Sequence, residues 1–93
     1  MSARVLVIYQ DKVYLQQVWD VLSPAGYEVL TAASLAEAVC HLEQMNPRIV
    51  VISPTVSAEL RAEVNHAVRR LRPGIMVLVL SPNRMDKISD LLQ

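Results

Sequence analysis

The sequence predicts an α/β domain, a doubly wound parallel sheet of four βα units. Three observations carry this expectation. Ile49-Val50-Val51-Ile52 is an unbroken β-branched run, which suits a strand buried on both faces and hence a parallel sheet with helices packed on either side. Stretches with helical apolar periodicity alternate with such runs along the whole chain, the pattern of successive βα units. The connections between them are short, and short right-handed crossovers leave few other topologies.

Each element has its own signal. Arg4-Val5-Leu6-Val7-Ile8-Tyr9 reads as the first strand, ended by Gln10-Asp11. Tyr14, Leu15, Val18, Trp19 and Leu22 then follow helical spacing until Ser23-Pro24-Ala25-Gly26 stops the helix. Tyr27-Glu28-Val29-Leu30-Thr31 is a shorter, more polar strand, expected at a sheet edge. Ser34 and Glu37 form a capping-box signature for the second helix, whose apolar stripe is Leu35, Ala38, Val39 and Leu42. Met45-Asn46-Pro47 leads into the Ile49 strand, which ends at Ser53-Pro54.

Leu60, Val64, Ala67, Val68 and Leu71 give the third helix, with Arg61, Asn65, Arg69 and Arg72 largely off the buried stripe. Arg72-Pro73-Gly74 closes it. Ile75-Met76-Val77-Leu78-Val79-Leu80 reads as a fourth strand, and Ser81-Pro82-Asn83 turns into a short last helix from Arg84 to Leu92 carrying Met85, Ile88, Leu91 and Leu92.

Composition excludes several classes of function. The 93 residues make one domain, 53% hydrophobic with no phenylalanine, so the core is aliphatic. Nine basic residues balance nine acidic ones, which argues against nonspecific nucleic-acid binding and leaves little charge repulsion against self-association. The single cysteine, Cys40, excludes an intramolecular disulfide and fits a reducing compartment. No apolar run approaches the roughly 18 residues of a membrane span, and the N-terminus lacks a signal-peptide pattern. The expected location is cytoplasmic.

Ligands of open α/β sheets sit beyond the carboxyl ends of the strands, and there the Ile49 strand presents Ser53 and Pro54. Ser53 as a nucleophile would need His41 or His66 as its base, but both fall within helices and no glycine-rich elbow surrounds the serine. Cys40 falls on the outer face of its helix with no flanking lysine or arginine, the pattern of an ordinary thiol. Arg61, Arg69, Arg70 and Arg72 share the third helix with Glu59 and Glu63 and read as a solvated face, with an anion site as the alternative. Trp19 is expected to be a packing residue.

Val5-Leu6-Val7-Ile8, Gly26-Tyr27-Glu28-Val29 with Thr31-Ala32, Ala36-Glu37-Ala38 with Leu42, and Pro47-Arg48-Ile49-Val50-Val51-Ile52 occur in an order and spacing that resemble the receiver domains of bacterial two-component response regulators. The resemblance covers almost the whole chain and implies a flavodoxin/CheY-like sheet with strand order 2-1-3-4. In that family an acidic pair after the first strand binds magnesium, an aspartate after the third strand accepts phosphate, and a hydroxyl follows the fourth strand. By position these fall on Tyr9 and Gln10, on Ser53, and on Ser81, and only Ser81 matches. Tyrosine, amide and serine supply neither a carboxylate nucleophile nor ligands for a hard dication. Asp11 lies one residue beyond the acidic pair, and its position between strand and helix suits a helix cap better than a lone metal ligand. Tyr9 would fill the emptied pocket with its ring.

The resemblance therefore implies a degenerate pseudo-receiver without aspartyl phosphorylation, without catalytic residues, metal or cofactor. Receivers usually have five βα units and this chain has four, so residues 1–93 are expected to be a single truncated receiver-like domain, its missing unit either natural or cut from a longer response regulator. The fourth strand is left as an apolar edge, a template for pairing. The expected function is noncatalytic protein interaction in bacterial signalling, with a protein partner or a second copy and neither nucleic acid nor membrane. A homodimer would use Ile75, Val77, Val79, Met85, Ile88 and Leu92. The competing reading is a small-ligand or phosphate-responsive switch at Tyr9, Gln10, Asp11, Ser53 and Ser81.

Overall fold

The computed structural model describes residues 3–92. Four parallel strands, β1 (Arg4–Ile8), β2 (Glu28–Ala32), β3 (Ile49–Ile52) and β4 (Met76–Val79), lie in the order β2-β1-β3-β4. The predicted strand order and fold class are those observed. Helices α1 (Lys12–Leu22), α2 (Leu35–Gln44), α3 (Ala58–Leu71) and α4 (Lys87–Leu92) follow the strands in turn.

The central strands β1 and β3 are buried on both faces because successive side chains feed two separate cores. Leu6, Ile8, Val50 and Ile52 pack with Ala38 and Leu42 of α2 and with Leu60, Val64, Ala67 and Val68 of α3. Val5, Val7, Ile49 and Val51 pack with Tyr14, Val18 and Leu22 of α1 and with Ile88 of α4. Two helices therefore cover each face.

Local signals place the helix ends. Asp11 caps α1, its side chain accepting from the Val13 N–H at 2.9 Å. Ser34 accepts from the Glu37 N–H at 3.3 Å, while the Glu37 carboxylate accepts from Ala33 N–H at 2.9 Å. The capping box thus closes on the amide preceding Ser34. Asn46 adopts φ 53 just after α2, a left-handed conformation that asparagine tolerates, and Arg72 reaches back to the α2 carbonyls of Leu42 at 2.9 Å and Glu43 at 3.4 Å. Arg72 is thereby a cap for a neighbouring helix, which removes it from the solvated face.

Further expectations need correction. The last helix begins at Lys87, because Pro82–Arg84 forms a single 3-10 turn first. Trp19 is 44% exposed; the buried stripe of α1 is Tyr14, Val18 and Leu22, and position 19 falls on its flank, where it lines a surface groove of about 320 Å³ with Lys12, Leu15 and Gln16. Met85 and Ile88 are fully buried in the α1 and α4 core and are not available to an interface. Leu92 packs partly against that core, whereas Leu91 is exposed.

The two sheet edges differ. At β2, Glu28 N–H bonds to Ala3 and the Ala32 carbonyl to Tyr9 N–H, so the alternation of a parallel ladder turns the groups of Val29 and Thr31 outward. His41 from α2 donates its Nε2–H to the Thr31 carbonyl at 3.0 Å, and Arg4 forms an ion pair with Glu28 while donating to the Met45 carbonyl at 2.7 Å. At β4, Leu80 N–H bonds to Ile52, so Val77 and Val79 present their groups outward. Among the described residues these outward groups have no partner. Val77 and Ile75 lie half-buried on the α3 side and Leu78 on the α4 side, while Met76 and Val79 are each 46% exposed. The strand is shorter at both ends than the predicted Ile75–Leu80 run.

Candidate functional site

The carboxyl ends of β1, β3 and β4 bring Tyr9, Gln10, Asp11, Ser53 and Ser81 to one edge of the sheet. Tyr9 continues the ladder, its N–H bonding to Ala32 at 3.0 Å, and its half-buried side chain packs against the core beneath α1 and α4. Gln10 is exposed and reaches across to the loop after β3, where its Oε1 accepts from the Ser57 N–H at 3.0 Å. That bond joins the two central strand-end loops, because Ser57 is the N-cap of α3. Asp11 is committed to α1 as its cap.

Ser53 is fully buried. Its N–H extends the β1–β3 ladder to the Ile8 carbonyl at 2.9 Å. Its hydroxyl lies 2.8 Å from the Thr55 hydroxyl and accepts from Thr55 N–H at 3.2 Å, a serine turn. Ser81 donates to the Asn83 side-chain oxygen at 2.6 Å and its carbonyl accepts from Arg84 N–H at 3.0 Å. Each of the four polar side chains predicted for the site is thus occupied by a bond within the strand-end loops.

Chemically this edge offers little to a phosphoryl group. Of the five side chains only Asp11 carries charge. Among the described residues no three His, Cys, Asp or Glu side chains gather as metal ligands. His41 is bonded at the β2 edge, and His66 lines a groove of about 360 Å³ between α2 and α3 with Leu35, Val39, Ala62, Glu63, Ala67 and Arg70. Neither is placed as a base for Ser53. Cys40 is exposed, as its helical position predicts.

Sequence reasoning missed Tyr14, Thr55 and Ser57. Tyr14 is buried, and its hydroxyl donates to the Leu80 carbonyl at 2.8 Å; burial pushes its pKa upward. The one available signal was a phenol on an otherwise aliphatic stripe, which needs a polar partner when buried. Thr55 bonds to Ser53 two residues before it, and Ser57 caps α3 through the Leu60 N–H, a role that a serine just ahead of a helical stripe signals locally. The bond from Ser57 N–H to Gln10 depends on a residue far along the chain and has no local mark.

No protein-family model and no curated sequence matches this chain. Solved structures do match it. A CheY-like response regulator receiver domain protein from Methanospirillum hungatei JF-1 is 19% identical, with a TM-score of 0.81 over 99% of this chain and 94% of that one. The Vibrio cholerae chemotaxis protein CheY4 is 20% identical, with a TM-score of 0.63 over 100% of this chain and 98% of that one. A de novo designed Rossmann 2x3 fold protein is 15% identical and gives a TM-score of 0.66 over 97% of this chain and 89% of that one. The fold is that of CheY-like receivers, and its agreement with a designed protein shows that the likeness is one of architecture. No helix among the described residues is long and apolar enough to cross a membrane.

Proposed function

We propose that this chain is a noncatalytic interaction module on a receiver fold, a pseudo-receiver of bacterial two-component signalling that works through protein contacts and is not phosphorylated on aspartate. The observation that carries the reading is the internal use of the strand-end side chains: Gln10 on Ser57, Asp11 on Val13, Ser53 on Thr55 and Ser81 on Asn83. A phosphoacceptor must be reachable and must lie near a dication, whereas the residue at that position is a fully buried serine.

One of its partners is a second copy of the chain, bound through the β4 edge. An apolar strand whose outward groups are unpaired is a pairing template, and the chain has no net charge to oppose association. The available surface is Ile75, Val77 and Val79. Four strand residues cover less than the roughly 800 Å² per partner of a standard interface, so the pair dissociates on dilution.

Two measurements test the reading. Intact mass is recorded after incubation with magnesium and an acyl phosphate donor, and solution mass is followed by light scattering across a dilution series. The expected results are an unmodified chain and a dimer that separates as it is diluted. A phosphoryl adduct would overturn the noncatalytic assignment, and a monomer at every concentration would overturn self-association.

A further inference from the structure

We infer that two copies pair β4 against β4 in one register only, antiparallel and centred on Leu78. The inference rests on the self-association proposed above and specifies its geometry.

A two-fold axis that joins two strand edges antiparallel stands perpendicular to the sheet. Each side chain then faces the same side in both copies, so only residues separated by an even number can lie opposite one another. Three centres are compatible with a strand of this length: Val77, Leu78 and Val79. The outward groups belong to Val77 and Val79, since Leu80 N–H is bonded inward to Ile52.

Existing hydrogen bonds block one of the three and weaken another. Centring on Val77 sets Val79 opposite Ile75, whose N–H is already given to the Arg72 carbonyl at 3.1 Å, and a Val79 carbonyl goes without a donor. Centring on Val79 sets Val77 opposite Ser81, which lies beyond the end of β4 as the N-cap of the Pro82–Arg84 turn and already gives its carbonyl to Arg84 N–H at 3.0 Å, so the Val77 N–H would have to share that oxygen. Centring on Leu78 sets Val77 opposite Val79 twice. Every group in those two pairs is unbonded among the described residues, and all of them are satisfied by the pairing.

Side chains agree with this register. Ile75 to Leu80 contains no charge, so the strand meets its own copy without like-charge contact. Arg72, the nearest cation before the strand, is turned toward the end of α2. On the α3 side Val77 meets Val79, a β-branched cross-strand pair. On the α4 side Leu78 meets Leu78 at the axis, in a non-hydrogen-bonded position where antiparallel Cα atoms approach to about 4.5 Å.

That separation lies within the usual Cα range of a disulfide, whereas diagonal neighbours at about 7–8 Å are too far apart. The test uses the full chain in a Cys40→Ser background, with Leu78→Cys, Val77→Cys and Val79→Cys made separately and oxidised gently. Leu78→Cys is expected to become mainly a cross-linked dimer, and an equimolar mixture of Val77→Cys and Val79→Cys is expected to cross-link only between the two variants. The mixture also serves if Leu78→Cys fails to fold. Self-cross-linking of Val77→Cys or of Val79→Cys would overturn the register in favour of a centre on that residue. A dimer by light scattering without any of these cross-links would overturn pairing through β4 and leave self-association standing. A monomer at every concentration would instead overturn the self-association on which the register depends.

Discussion

The Tyr14 hydroxyl donates to the Leu80 carbonyl at 2.8 Å, in the place where the sheet itself lacks a donor. The alternation of the β3–β4 ladder assigns that carbonyl to the N–H of residue 54. Residue 54 is proline and has none. A phenol from α1 therefore completes the last rung of a sheet to which α1 contributes no strand.

Tyr14→Phe removes the donor and leaves a carbonyl without its partner. The expected loss is about 1–3 kcal/mol, read from urea denaturation. The fold should survive, because the ring still packs beside Val18 and Leu22.

The same burial makes stability depend on alkaline pH. Tyr14 has its pKa raised above the ordinary value of 10.0 in the folded chain, so the unfolded chain ionises first and binds fewer protons. Stability from this group is complete below about pH 10 and falls above it, with a slope approaching about 1.4 kcal/mol per pH unit. Denaturation midpoints measured from pH 8 to alkaline conditions should show this slope in the native chain and lose it in Tyr14→Phe.

A carboxylate at position 53 should damage the fold. Ser53 is fully buried and bonded to Thr55, so Ser53→Asp places an unpaired charge in the interior, an expected cost of about 3–5 kcal/mol. The loss should lessen at acidic pH, where the carboxyl group is neutral. Thermal melts at two pH values check both the size and the sign.

Ile88 and Leu91 are neighbours on a six-residue helix with opposite roles. Ile88→Ala opens a cavity in the core beneath α1 and is expected to cost about 2–5 kcal/mol. Leu91→Ala, at an exposed position, should change stability by about 0.5 kcal/mol or less. Denaturation curves of the two variants distinguish a core residue from a surface one.

Much of the fold was legible because burial on both faces leaves an unmistakable sequence trace. Val5 to Ile8 and Ile49 to Ile52 could be read as central strands from their own residues, and Ser34, Glu37 and Asp11 marked helix starts by local bonds. The flanks of the helices were less legible. Trp19 follows the same spacing as Val18 and Leu22, and one step of rotation decides whether an indole is covered. Met85 and Ile88 looked available because the side on which α4 packs is decided by tertiary contact with Val5, Val7 and Val51. At the strand ends, the absence of acidic side chains at Tyr9, Gln10 and Ser53 was plain in the sequence. What these side chains bond to was not, because Gln10 finds its partner at Ser57, across the sheet.

The His41 imidazole on the Thr31 carbonyl bears on how far such a sheet could grow. A sheet with two open edges can add neighbours indefinitely and become a ribbon. In the proposed pair both β4 edges are used up and a β2 edge lies at each end of the joined sheet. There the imidazole already takes one of the carbonyls that another strand would need, so further growth would start from a border that is partly closed.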